Sequence, residues 1–429
     1  MNKRVTHNIS WLVGGSVLHK VISFVAGILV ARYLKPDMYG LLSYAAAYTT
    51  FFSAVCTLGI NSMLVAELLE HPDTEGEAIG TSIGLRLASS ALSFVAITCI
   101  TCVVDAGDTT TIVVVVMSSL GLIFQTYDTL KYWFQAHLQS KYCAVATNLS
   151  YLVVFAFQVL LIALGKSVEW FALATSLDAL VAGAVLFAMY RRGGGQHLSY
   201  SRARASHLLR RGLPFVAAGL MSAVYGSTDR LMLKWLMDDA SVGFYSLAST
   251  LSVAGAFVLS AVIDSAYPTI VEARKTDREL YLRRNRQLFA AVFYAATAMS
   301  VVVLLLARPL IQLFYGADYL PAAEPLKVVI WSTAFSYLGV ARNAWVVCED
   351  KQRYLLILYA TSAGVNIALN LALIPALGTV GAAIASLVAE VSSTLVAPAF
   401  VPSLRESAML MLDGILLRDV LPHRTKARR

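Results

Sequence analysis

Apolar residues along this chain come in runs of about 20, each closed by a short polar stretch, and a helix of about 20 apolar residues spans a hydrocarbon core of about 30 Å. The runs are continuously apolar rather than alternating, which predicts membrane helices and not the strands of a barrel. Twelve spans are expected, at 11–31, 41–64, 84–104, 110–130, 144–164, 170–190, 214–235, 242–264, 288–307, 325–347, 355–374 and 378–398. The first run continues from Trp11 through Ala31 without a small-residue cleavage site, so it reads as a span rather than a cleaved leader.

Composition strengthens this picture. Of 429 residues, 58% are hydrophobic and 14% charged, which sets aside an ordinary soluble enzyme in favour of an all-α polytopic membrane protein. The net charge of +8 is explained by where the 34 Lys and Arg lie. With the amino terminus inside, 24 fall in inner segments and four in outer ones, so both termini are expected in the cytoplasm. The acidic stretch 67–77 runs against that sign but weighs little on orientation. No aromatic-basic interleaving accompanies the cations, and nucleic acid is not an expected partner. The five cysteines show no metal-ligand or disulfide spacing and read as small buried hydrophobes.

The hydrophilic segment 191–213, with Gly193, Gly194 and Gly195, divides the spans six and six. The expected organisation is an N-terminal six-helix bundle at 1–190, a cytoplasmic interlobe linker at 191–213 and a C-terminal six-helix bundle at 214–400. An interfacial helix and basic tail follow at 401–429. The strings LKPDMYG at 34–40 and LMDDASVG at 236–243 each follow the first span of their half. Two halves with the same starting side predict a parallel repeat around a central cavity. No phosphate-binding glycine loop and no large external domain with a paired acid and base are seen, so no catalytic residue is assigned and a non-enzymatic transporter is expected.

Ionisable groups at depth usually face a water-filled cavity or a partner. Lys20, near the middle of span one, reads as a cavity cation for an anionic substrate or as the structural partner of a carboxylate such as Asp178 or Glu390. Arg230 and Lys234 share a helix face and suit phosphate oxygens, although Lys234 can also snorkel; Asp229 points about 100° away from Arg230. Asp178 and Glu390 are candidates for a coupling proton or sodium ion, or for neutralising buried cations. Asn366 and Asn370, on one face of span eleven, suit a sugar, a cation site or helix–helix adhesion. Arg86 and Arg342, near inner span ends, read as a basic mouth or as headgroup anchors. The string 128–134, with Asp128, Lys131, Tyr132, Trp133 and Phe134, reads as an interfacial anchor.

Several strings resemble a known family. They are ARYLKPDMYG at 31–40, DRLML at 229–233, VGFYSLA at 242–248, and more weakly YWFQ at 132–135 and LFYGADY at 313–319. They resemble the bacterial polysaccharide-export flippases of the multidrug/oligosaccharidyl-lipid/polysaccharide superfamily, the O-antigen and exopolysaccharide lipid-intermediate transporters. The resemblance implies two six-helix bundles around a V-shaped cavity in the inner membrane, and a polyprenyl-diphosphate-linked glycan carried to the outer leaflet. Lys20 and Arg230 would then attract the diphosphate, while membrane lipids and a polysaccharide polymerase become the implied partners. No cofactor is expected beyond a coupling H+ or Na+. Twelve spans also fit organic-cation antiporters of the same superfamily, which is the competing reading.

Overall fold

The computed structural model describes residues 3–418, so the basic tail expected at the carboxyl end lies largely outside the described residues. Within them every regular element is helical: α1 (Lys3–Cys56), α2 (Asn61–Glu70), α3 (Glu75–Val104), α4 (Thr109–Ser119), α5 (Gly121–Phe124), a 3-10 stretch Gln125–Thr129, α6 (Leu130–Ala136), α7 (Ser140–Ala163), α8 (Val168–Arg192) and α9 (Arg202–Leu236). The chain continues with α10 (Asp239–Ala254), α11 (Phe257–Thr276), α12 (Arg278–Phe314), α13 (Ala323–Cys348), α14 (Leu355–Leu377), α15 (Thr379–Val391), a π-helical turn Ser392–Val396, α16 (Ala397–Phe400) and α17 (Arg405–Ile415). Among the described residues, eight helical stretches are long and apolar enough to cross a membrane, against the twelve expected from hydropathy. Span one and most of span two lie within α1, which breaks at Lys35, and the rest of span two reaches into α2. There φ is 64°, and Pro36 disfavours the helical conformation at the residue before it without itself requiring a positive φ. The second member of the sequence echo also sits at a break, where Asp238 caps α10 by accepting from the Ser241 N–H at 2.8 Å.

The chain forms two compact units, 1–227 and 228–429, with the division inside α9. In the first unit, α3 buries Ser82, Arg86, Ser90, Ser93, Ile97 and Thr101 at helical spacing while Leu92 is 72% and Val103 78% exposed. Small and polar groups inside with large apolar ones outside is the arrangement a lipid surround favours.

Polar contacts sort the connections of the first unit by end. At the end expected to be inner, Gln196 accepts from the Gly76 N–H at 2.9 Å and donates to the Pro72 carbonyl at 2.9 Å. Arg204 meets Glu67 at 3.7 Å and Glu77 at 3.3 Å, while the Trp133 indole donates to Glu75 at 2.8 Å. At the opposite end, the Tyr33 hydroxyl donates to the Lys166 carbonyl at 2.9 Å and that of Tyr44 to Asp105 at 3.1 Å.

Two sequence readings change here. Trp133 and Phe134 do not anchor an interface. They are 4% and 1% exposed, packed with Ile79, Leu130, Leu186 and Tyr190 in the core of the first unit. The segment 196–201, expected to act as a linker, is laid along α3, where a Cβ on Gly76 or Gly80 would come within 2.4 Å of the His197 or Ser199 carbonyl oxygen. Glycine at 76, 80 and 84 opens a lane on that helix face, and the Gln196 side chain satisfies an amide in its first turn.

In the second unit, Arg278 joins Glu349 at 2.5 Å and Glu406 at 2.6 Å, and Arg286 meets Asp413 at 3.4 Å. These bonds bring three basic segments expected on the inner side to one end. They also fasten α17 to α12, where Gly414 packs against the Arg286 backbone. The core beneath them gathers Tyr281, Phe289, Leu338, Trp345 and Met411.

Candidate functional site

A buried carboxylate of the second unit, Asp229 on α9, is only 7% exposed. A lone carboxylate at that depth would be costly, so donors must converge on it. They come from three other helices. Asn366 and Asn370, both fully buried on one face of α14, donate to Oδ1 at 2.9 and 2.6 Å. Ser386 of α15 donates to Oδ2 at 2.5 Å, and the Tyr245 hydroxyl of α10 donates to the same oxygen. Tyr245 and Ser386 also touch at 2.9 Å, and the Asn370 amide reaches the Asn366 oxygen at 3.0 Å.

The two carboxylate oxygens differ chemically. Oδ1 is held by amide N–H groups, which can only donate, whereas Oδ2 is held by hydroxyls, which can turn and accept instead. A proton placed on Oδ2 therefore keeps its surroundings satisfied, and one on Oδ1 does not. The Asn370 Oδ1 atom is buried without a hydrogen-bond partner, which leaves one oxygen beside the carboxylate unused. A carboxylate with this shell is chemically suited to taking up a proton at Oδ2.

The cations expected to bind substrate separate into distinct roles. Arg86 is 2% exposed, and its guanidinium donates to Thr129 Oγ1 at 2.9 Å and the Gln125 carbonyl at 3.3 Å, across the 3-10 stretch. Arg342 is 5% exposed and donates to the Ser393 and Thr394 carbonyls at 3.1 and 3.3 Å, within the π-turn. Each unit thus places a buried arginine against an irregular helical turn, whose carbonyls are poorly served by the helix itself. Lys234 is bound to Asp239 at 2.6 and 2.7 Å rather than aligned with Arg230 for a phosphate. Arg230 is half-buried and its Nε has no partner, and Lys20 is exposed on α1.

The carboxylates also separate. Asp178 accepts from the Ser150 hydroxyl at 2.6 Å and lines a polar cavity of about 410 Å³ in the first unit. Glu390, half-buried near the end of α15, lies close enough to act electrostatically on Arg342. Of the candidate ion-site residues, the structure therefore unites Asn366 with Asn370 but adds neither Asp178 nor Glu390 to them. Asp229, Tyr245 and Ser386 complete that cluster, and sequence reasoning assigned none of them to it. An aspartate inside an expected span, together with two asparagines one turn apart on a single apolar helix, was the available signal.

The comparisons with known proteins agree with this architecture. No match was found among the curated proteins. Among solved structures, the chain is similar to the lipid II flippase MurJ in an inward closed conformation. Identity is 14%, coverage is 95% of this chain and 91% of that one, and the TM-score is 0.74. It is also similar to the MATE multidrug transporter DinF-BH, with 16% identity, 95% and 97% coverage and a TM-score of 0.62. For the eukaryotic MATE transporter AtDTX14 the identity is 11%, the coverage 96% and 99%, and the TM-score 0.60. These likenesses show a shared transporter fold and, with the apolar helices, a multi-pass membrane protein. The profile described as "Polysaccharide biosynthesis protein" matches residues 5–274, well over half of the chain, and the protein belongs to that family.

Proposed function

We propose that the protein flips a polyprenyl-diphosphate-linked oligosaccharide from the cytoplasmic to the outer leaflet of a bacterial inner membrane, for the synthesis of a cell-surface polysaccharide such as O-antigen or exopolysaccharide. The single observation that carries this reading is family membership over residues 5–274; the similarity in fold to a lipid II flippase supports it. Twelve spans, both termini in the cytoplasm and alternating access complete the reading, with a polysaccharide polymerase as the downstream partner.

The chemistry of the available side chains fits an anionic lipid. With Arg86, Arg342 and Lys234 committed to internal partners, Lys20 and Arg230 are the expected substrate-binding cations left to meet a diphosphate. The guanidinium fork of Arg230 suits two phosphate oxygens. Coupling is assigned to Asp229, with Asn366, Asn370, Ser386 and Tyr245 as its shell, through H+ or Na+. When that ion binds, it removes the buried negative charge, and the donors around Oδ2 reverse. That change in hydrogen bonding between α9, α10, α14 and α15 is a local trigger for rearranging the unit.

The competing reading, ion-coupled export of an organic cation, is favoured by the carboxylates Asp229 and Asp178 and by the similarity to MATE transporters. The discriminating experiment is transfer of a labelled polyprenyl-diphosphate-oligosaccharide across proteoliposomes, run beside efflux of amphipathic cations under proton or sodium gradients. Protein-dependent glycolipid transfer supports the flippase. Cation efflux without glycolipid transfer refutes it.

A further inference from the structure

The cavity that Asp178 lines is not explained by diphosphate binding or by ion coupling. It lies wholly in the first unit, among α1, α4 and the 3-10 stretch, α7 and α8, and its volume of about 410 Å³ falls within the ~300–1,000 Å³ of small-molecule sites. Seven serine and threonine hydroxyls line it. Hydroxyls gathered at one opening give a polar occupant many partners, since a hydroxyl that bonds its own helix carbonyl still accepts.

The detailed bonding defines the occupant. Ser118 is 2% exposed, and its Oγ has no hydrogen-bond partner although it lines the cavity. Two of the other hydroxyls donate to side chains of the lining, Ser53 to the Gln125 side-chain oxygen at 3.1 Å and Ser150 to Asp178 at 2.6 Å, while Thr49, Thr50 and Thr175 donate to carbonyls of their own helices. Each keeps lone pairs for a visiting donor, while the Gln125 amide and Ser118 hydroxyl remain to serve a visiting acceptor. Lys131, the one basic residue of the lining, is already paired with Asp128 at 2.8 Å, so the lining offers no uncommitted cation to an anion. Tyr151 adds an aromatic ring. A lining that both donates and accepts through neutral groups, beside Asp178, an Asp128–Lys131 ion pair and an aromatic ring, is complementary to a compact polyhydroxylated molecule.

We propose that this cavity is a sugar-binding subsite, which takes a neutral glycan unit through Ser118, Gln125, Ser150 and Asp178 with Tyr151 as its apolar platform. Its place in transport rests on the flippase reading, in which it would receive part of the glycan while the diphosphate stays with Lys20 and Arg230. Sugar binding itself does not depend on that reading.

The test uses full-length protein in lipid nanodiscs carrying Thr147→Cys, a half-exposed position on the lining. Alkylation at position 147 is followed by peptide mass spectrometry in the presence of methyl glycosides of hexoses and N-acetylhexosamines, inorganic diphosphate, or tetraphenylphosphonium. The expected result is slowing by about tenfold with at least one glycoside and none with the other two probes, lost on adding Gln125→Leu or Asp178→Asn. Protection by tetraphenylphosphonium, protection by diphosphate, or no protection by any glycoside would each overturn the subsite. Glycolipid transfer is measured separately on the same preparations. Glycoside protection without transfer leaves the subsite standing and removes the flippase reading; transfer without protection does the reverse.

Discussion

Asn370 donates to Asp229 across 2.6 Å although the two residues lie 141 positions apart, and its own amide oxygen has no partner. The pair carries the coupling assignment: a buried carboxylate held by neutral donors can gain or lose its charge without breaking an ion pair. Asp229→Asn is therefore expected to leave the protein folded but remove the pH or sodium dependence of transport. Transport rates measured with and without each imposed gradient check this. A gradient response equal to that of the unaltered protein would clear Asp229 of the role.

The two faces of that carboxylate make a second expectation. Tyr245→Phe removes a hydroxyl that can reverse, whereas Asn366→Leu removes an amide that cannot, and leaves Oδ1 short of a donor in a buried site. Asn366→Leu should cost about 1–3 kcal/mol of stability, seen as a lower midpoint in detergent thermal unfolding. Tyr245→Phe should show the smaller stability loss and the larger change in coupling.

Arg86 and Arg342 are expected to behave as structural residues. Replacing either by Met strands the carbonyls of an irregular turn, at a cost of about 1.5–3 kcal/mol for a charged hydrogen-bonded group. Unfolding temperature should fall, while the inhibition of transport by added diphosphate stays unchanged. Weakened inhibition in a variant of normal stability would restore them to the substrate path.

Gly76 and Gly80 give a prediction that concerns the segment 196–201. A Cβ at either position collides with the backbone of 197–199, so Gly80→Val should lift this segment from α3. Trypsin is then expected to cut faster at Arg202 and Arg204 than in the unaltered protein, read by mass spectrometry of the early fragments. Equal cutting rates would mean that the segment is not held by this glycine lane.

The all-helical, multi-span character and the gathering of basic segments at one end of the second unit were legible because length, continuous apolarity and charge are one-dimensional signals. Direction around a helix was not. Arg86 and Arg342 lie near the inner ends of their expected spans, yet their side chains are buried in the protein, and depth along a span says nothing of which side a side chain takes. Trp133 shows the same limit, since an aromatic beside lysine reads alike whether it meets headgroups or a protein core. The Asp229 cluster escaped because its donors come from α10, α14 and α15, and no local spacing joins them. The glycine lane was present at 76, 80 and 84 as a repeat of four, a pattern that marks close backbone approach and was not used. The α1 break, by contrast, was local, since Lys35 before Pro36 is written in adjacent residues.

The most direct test of the flippase function is transfer of a labelled polyprenyl-diphosphate-oligosaccharide in proteoliposomes holding equal amounts of the unaltered protein, Lys20→Ala, Arg230→Ala and Lys234→Ala. Protein-dependent transfer is expected, reduced about tenfold or more by the first two substitutions and little by the third, whose lysine is already bound to Asp239. No transfer with any glycan tested, together with proton- or sodium-driven efflux of amphipathic cations, would contradict it.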